Sequence, residues 1–133
     1  IELDIDFFKN INDTHGHAAG DRAICAVGDA ARNGLRGTHD MVARIGGDEF
    51  ALLLFDCGVE AGMAVAERLR RQIEAMQVTA GDKTFSLTVS FGVSISNAES
   101  TYEALLHSAD QALYRAKRAG RNQAILQDPA QAA

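Results

Sequence analysis

Residues 85–96 alternate without interruption: Phe85, Leu87, Val89, Phe91, Val93 and Ile95 take one parity, and Ser86, Thr88, Ser90, Gly92, Ser94 and Ser96 the other. Twelve residues at period two fit a β-strand and leave no room for a helix. The rest of the chain is arranged around that strand. Ile1-Glu2-Leu3-Asp4-Ile5 alternates apolar and acidic residues and predicts a second strand with its odd positions buried. Residues 78–84, with Gly81-Asp82, are placed to form a hairpin partner for the long strand. Met41–Ile45 and Phe50–Phe55 flank Gly46-Gly47-Asp48-Glu49, a hairpin signal in which the glycines are expected to supply positive φ. Residues 122–126 predict an edge strand, and the Gln/Ala/Pro-rich residues 128–133 a frayed tail.

Three helices fill the gaps. Ala23, Ile24, Val27, Ala30, Ala31 and Leu35 recur at helical spacing over residues 18–35, and Val59, Met63, Ala66, Leu69, Ile73 and Met76 do so further on. The last helix carries Leu105, Leu106, Ala109, Ala112, Leu113 and Ala116. Ser100 with Glu103 suggests a capping box at its start, and Gly120 suits the C′ position at its end. Residues 7–20 predict a structured loop or short helical turn. The order β-loop-α-β-β-α-β-α-β is that of one α+β domain.

The balance of 13 Lys and Arg against 18 Asp and Glu gives a net charge of −5 in 133 residues. A broad nucleic-acid surface needs an excess of cations that this chain lacks. Any phosphate chemistry must therefore use a few local cations or a metal. No apolar run is long enough to span a bilayer. Cys25 and Cys57 form no CxxC pair and are expected to be buried free thiols in a reducing compartment. The chain opens at Ile1, inside an apolar run and without Met or signal peptide, as a piece of a longer protein would.

Polar residues interrupt the apolar pattern at four places. Asp4 and Asp6 share strand parity, so both carboxylates are expected to project from one face of the first strand. Asp48-Glu49 sits at the tip of the glycine hairpin, directly before the apolar run, where adjacent acids repel unless a cation neutralises them. If the hairpin lies beside the first strand, Asp4, Asp48 and Glu49 converge. Hard carboxylate oxygens without a thiolate select Mg²⁺ or Mn²⁺, which keep few carboxylates and take the rest of their shell from water and substrate phosphates. Lys117 and Arg121, four apart at the end of the last helix, and Lys9 after the first strand are the candidate phosphate cations. Asn12 and Asp21 can together read a purine: a carboxylate accepts from the N1–H and exocyclic amine of guanine, and adenine has no N1–H. His15-Gly16-His17 lacks the supporting ligands of a zinc site, and His39 and His107 are expected at the surface.

Asp4-Ile5-Asp6-Phe7-Phe8-Lys9, Asn12-Asp13, Gly16-His17-Ala18-Ala19-Gly20-Asp21, Arg44-Ile45-Gly46-Gly47-Asp48-Glu49-Phe50 and the run from Asp110 to Asn122 resemble the GGDEF domain of bacterial diguanylate cyclases, in order and over nearly the whole chain. The resemblance implies a nucleotidyl-cyclase or polymerase-palm fold with a ferredoxin-like core, in which a central, mostly antiparallel five-stranded sheet is flanked by helices. It implies the condensation of two GTP to cyclic di-GMP with release of two pyrophosphates. Carried over by position, Asp4, the Ile5 carbonyl, Asp48 and Glu49 would bind Mg²⁺ or Mn²⁺, two ions per site. Asp48 would accept the 3′-hydroxyl proton, with Glu49 as a second catalytic acid. Asn12 and Asp21 would read guanine, His17 would lie against the nucleotide, and Gly46, Gly47, Lys9, Lys117 and Arg121 would hold the substrate.

The same resemblance implies a transient dimer of two such domains, a sensory or regulatory domain N-terminal to this one, and a cytoplasmic position even if the parent protein is membrane-anchored. The expected domain is 1–127, without the helix that usually precedes the first strand. One departure concerns an inhibitory product-binding motif, RxxD. Asp40 is in place, but the arginine position is Gly37, and Arg36 is one residue early. The competing reading is a non-catalytic module that binds GTP or cyclic di-GMP to regulate a neighbouring domain. Retention of Asp4, Asp48, Glu49, Lys117 and Arg121 favours catalysis.

Overall fold

The computed structural model describes residues 1–37 and 39–127. Eleven elements follow one another: β1 (Glu2–Ile5), α1 (Phe8–His15), α2 (His17–Asn33), β2 (Met41–Arg44), β3 (Glu49–Leu53), α3 (Val59–Glu74), β4 (Val78–Ala80), β5 (Lys83–Phe85), β6 (Val89–Val93), α4 (Tyr102–Arg118) and β7 (Ala124–Leu126). The main sheet has five strands in the order β2-β3-β1-β6-β7. Only the β6–β7 pair is parallel, so the sheet is mostly antiparallel as expected.

Strand parity sorts the sheet into two faces. Leu3, Ile5, Phe50, Leu52, Val89, Phe91 and Val93 join Val27 and Ala31 of α2 and Val65, Leu69 and Ile73 of α3 in one buried cluster. The other parity lies under α4. There a Cβ on Gly92 would collide with the Ala109 carbonyl and the Leu113 amide, so glycine is what lets the helix backbone approach the sheet. Being covered on both sides, β1 and β6 are buried at every position. The expectation that only odd positions of the first strand are buried is therefore corrected: Glu2 and Asp4 are as buried as Leu3.

Several local expectations also change. The alternating stretch 85–96 is not one strand. Its first residue ends β5, which pairs with β4 in a separate two-stranded sheet, and the main-sheet strand begins at Val89. The break coincides with Asp6, whose amide donates to the Thr88 carbonyl at 2.9 Å just beyond the end of β1. The loop predicted for residues 7–20 is a helical corner, α1 followed by α2 with Gly16 between them. Gly46 and Gly47 do not adopt positive φ. The N-cap of α4 is Thr101, whose Oγ1 accepts from the Ala104 amide at 3.1 Å, while Ser100 Oγ accepts from the Asn97 amide. Gly120 does take the C′ role, at φ 119°, with the Arg121 amide returning to the Ala116 carbonyl. Neither free cysteine is fully buried, Cys25 being exposed. His39 and His107 are exposed as expected. Among the described residues no helix is long and apolar enough to cross a membrane. The tail expected at 128–133 lies outside the described residues.

Candidate functional site

The acidic corner forms because β3 pairs antiparallel with β1. Asp4 stands directly opposite Glu49 in the ladder, and the Ile5 amide donates to the Asp48 carbonyl at 3.2 Å. Asp4 thus meets both acids of the hairpin tip, as the sequence anticipates. Its side chain faces α4, which delivers Lys117 to it as an ion pair. Burial pushes the Asp4 carboxyl above its ordinary range, and the Asp48 carboxyl within hydrogen-bonding reach pushes the same way, against the pull of Lys117. Burial lowers the Lys117 ammonium, but its bond to Asp4 and the neighbouring acids outweigh this and leave it raised. Glu2, one ladder step back, has Oε2 buried with no hydrogen-bond partner among the described residues, beside the Asp110 carboxyl. Burial first, then Asp110 and Glu49, raise its carboxyl to about 7. This corner holds more negative charge than its own cations satisfy.

Those donors fit a divalent cation. Two desolvated carboxyls in contact need a shared proton or a shared positive charge, and Asp4 is met by the Lys117 ammonium. Among the described residues no group of three His, Cys, Asp or Glu side chains is poised to hold a metal.

The glycine turn is held by Arg44, a residue to which spacing and composition assign no role. Arg44 Nε donates to the Gly46 and Gly47 carbonyls at 3.1 and 3.0 Å, and Nη2 to Gly47 at 2.7 Å. An arginine two residues before a pair of turn glycines is the signal that could have found it.

The helical corner brings together Asn12 and the segment containing Asp21. The Asn12 carboxamide lies over Gly20, where a Cβ would collide with its Oδ1. Asp21 and His17 are exposed on the first turns of α2, and Lys9 is exposed on α1. Arg121 does not share a helix face with Lys117. The helix ends at Arg118, and Arg121 sits in the turn beyond Gly120 at φ 64°, its guanidinium 4.6 Å over the Phe7 ring.

Asp6 does not join Asp4 at the acidic corner. It is buried and accepts from Ser90 Oγ and Thr88 Oγ1, both at 2.7 Å, and from the Asn122 amide at 3.0 Å. Asn122 in turn accepts from Arg70 of α3 at 2.9 Å and donates to Glu74. In the expected inhibitory motif, Arg36 is engaged internally. It donates to Asp40 at 3.3 Å and to the Phe55 carbonyl at 3.0 Å, while Asp40 Oδ1 accepts from the Phe55 amide. Burial raises the Asp40 carboxyl, but the Phe55 and Arg36 amides and the Arg36 guanidinium prevail and hold it below the usual range.

The chain that builds this acidic hairpin tip, with a cationic helix end above it, matches the family model of the diguanylate cyclase GGDEF domain over residues 1–123. The chain belongs to the GGDEF family. Diguanylate cyclase A of Treponema denticola is 42% identical over 127 residues, which are 95% of this chain and 34% of that protein. The GGDEF domain of DgcB from Caulobacter crescentus, solved in complex with c-di-GMP, superposes with TM-score 0.89 at 29% identity, covering 95% of this chain and 75% of that one. Diguanylate cyclase SiaD of Pseudomonas aeruginosa, solved with its activator SiaC, gives TM-score 0.88 at 38% identity over 94% of this chain and 48% of that one. The chain thus spans about a third of the Treponema protein and about half of SiaD.

Proposed function

We propose that this GGDEF domain, residues 1–127, is the catalytic unit of a diguanylate cyclase that condenses two GTP into cyclic di-GMP and two pyrophosphates. The observation that carries the reading is the overcharged corner of Asp4, Asp48 and Glu49, which the domain leaves short of positive charge where the family has its signature. Asp4, the Ile5 carbonyl, Asp48 and Glu49 would hold two Mg²⁺ or Mn²⁺, which supply charge neutralisation on the triphosphate and acidify the attacking hydroxyl. Asn12 and Asp21 orient guanine, with His17 against the nucleotide. The Gly46-Gly47 backbone, fixed by Arg44, borders the phosphates, and Lys9, Lys117 and Arg121 hold them.

One domain holds one GTP. Its 3′-oxygen attacks the α-phosphorus of a GTP on a facing domain, the P–O bond to pyrophosphate breaks, and Asp48 takes the hydroxyl proton. The reciprocal attack closes the ring. Two domains must meet in antiparallel fashion, so a preceding sensory or regulatory segment in the longer protein would act by controlling proximity. Because Arg36 is tied to Asp40 and Phe55 and Gly37 carries no side chain, product feedback through that site is weak or absent. A product titration showing tight inhibition would contradict it.

The test of function is to incubate the full-length protein with GTP and Mg²⁺ and identify products by mass. Cyclic di-GMP rising faster than linearly with protein, and lost in Asp48→Ala, supports the cyclase. GTP binding with no product would favour the regulatory module.

A further inference from the structure

Three residues beside the site adopt left-handed backbone without being glycine: Phe7 at φ 54°, Arg121 at φ 64° and Asn122 at φ 47°. Such conformations are disfavoured for residues with a Cβ and persist only where the surroundings impose them. Here the two strained segments hold each other. Asp6 Oδ2 accepts the Asn122 amide at 3.0 Å, and Ser90 Oγ also lies 3.1 Å from that amide. The Asn122 side chain is pinned by Arg70 and Glu74. One residue after Asp6 and one before Asn122, the Arg121 guanidinium lies on the Phe7 ring, which is 58% exposed. An exposed aromatic ring and an arginine held by turn geometry at 4.6 Å form a platform whose ring contributes little to the core.

We propose that Asp6 and Phe7 are positioning residues for Arg121: Asp6 fixes the turn that carries it, and the Phe7 ring orients the guanidinium for the triphosphate. This rests on the GTP-site reading above, in which Arg121 binds phosphate. Long arginine side chains lose conformational freedom when they engage a ligand, and a ring that already restricts the guanidinium reduces that loss.

The test uses the full-length protein with Mg²⁺ and 3′-deoxy-GTP, which lacks the attacking hydroxyl, and measures affinity by calorimetry. Phe7→Ala should weaken binding roughly two- to fivefold, the effect of an exposed cation–π contact, with an unchanged melting temperature. Phe7→Tyr should restore wild-type affinity, and Phe7→Ala should have no further effect in an Arg121→Ala background. Asp6→Asn should weaken binding more than Phe7→Ala and also speed hydrogen exchange at the Asn122 amide. If Arg121→Ala weakens binding while Phe7→Ala binds as well as wild type, or weakens binding equally in both backgrounds, the positioning role is overturned alone. If wild-type protein does not bind, or Arg121→Ala binds as wild type, the GTP-site reading is overturned and this inference with it.

Discussion

Asp4 lies in β1 and Asp6 just beyond its end, two residues apart and equally buried, and their surroundings are opposite. Asp6 is met by two hydroxyls and an amide, so its charge is spread over well-formed hydrogen bonds. Asp4 meets one ammonium and is crowded by Asp48 and Glu49, with Glu2 behind it carrying an unpartnered oxygen. Buried polar groups are normally satisfied, and those that are not mark places where something other than stability decided the residue. The strand end thus puts a carboxylate whose hydrogen bonds are complete beside one that is crowded by like charge, distinguished by their partners.

The largest effect that would sharpen this contrast is on chemistry. Asp48→Ala should lower cyclic di-GMP formation by about 10³-fold or more, roughly 4 kcal/mol in transition-state stabilisation, while leaving the melting temperature within a few degrees of wild type. A comparable loss of stability would show that the corner is structural after all. Next, Asp6→Asn should cost about 2–4 kcal/mol in urea unfolding, because buried donors lose their acceptor. Asp4→Asn should stay within about 1 kcal/mol of wild type, since relief of the Asp48 contact offsets the weakened Lys117 pair. Equal costs for the two would break the comparison.

The smallest effect lies away from the site. The Asp40 carboxyl is held below its usual range, so its contribution to stability is complete above the unfolded value near 3.8 and disappears as pH falls through the lower folded value. Asp40→Asn should therefore cost about 1 kcal/mol at pH 7, and the difference from wild type should shrink progressively as pH falls below 3.8. A difference that persists there would mean that the hydrogen bonds of the Arg36–Asp40–Phe55 cluster do not depend on charge.

Much of this was legible in the sequence, because periodicity and glycine signals are local. Three of the helices, the β2–β3 hairpin, the edge strand and the convergence of Asp4 with Asp48 and Glu49 all follow from spacing alone. What escaped depends on contacts between distant segments. The strand at 85–96 splits because its first residue pairs with β4, a tertiary choice that alternation does not encode. Asp6 looks like Asp4 by parity, and only the arrival of Thr88, Ser90 and Asn122, more than eighty residues away, separates them. Lys117 and Arg121 look like one helix face, yet Gly120 ends the helix between them. Arg44 sits in the quoted motif, but its grip on the glycine carbonyls needed the folded turn to be seen.

The most direct test of the central claim is the change in unfolding free energy on adding Mg²⁺ to wild type, Asp4→Asn and Asp6→Asn in the presence of 3′-deoxy-GTP. The account predicts a gain of about 1.4 kcal/mol at ~10 times the wild-type dissociation constant for wild type, a smaller but clear gain for Asp6→Asn, whose cation corner is intact while its Arg121 turn is loosened, and almost none for Asp4→Asn. Equal gains in wild type and Asp4→Asn would contradict it, because the overcharged corner would then not be where the cation binds.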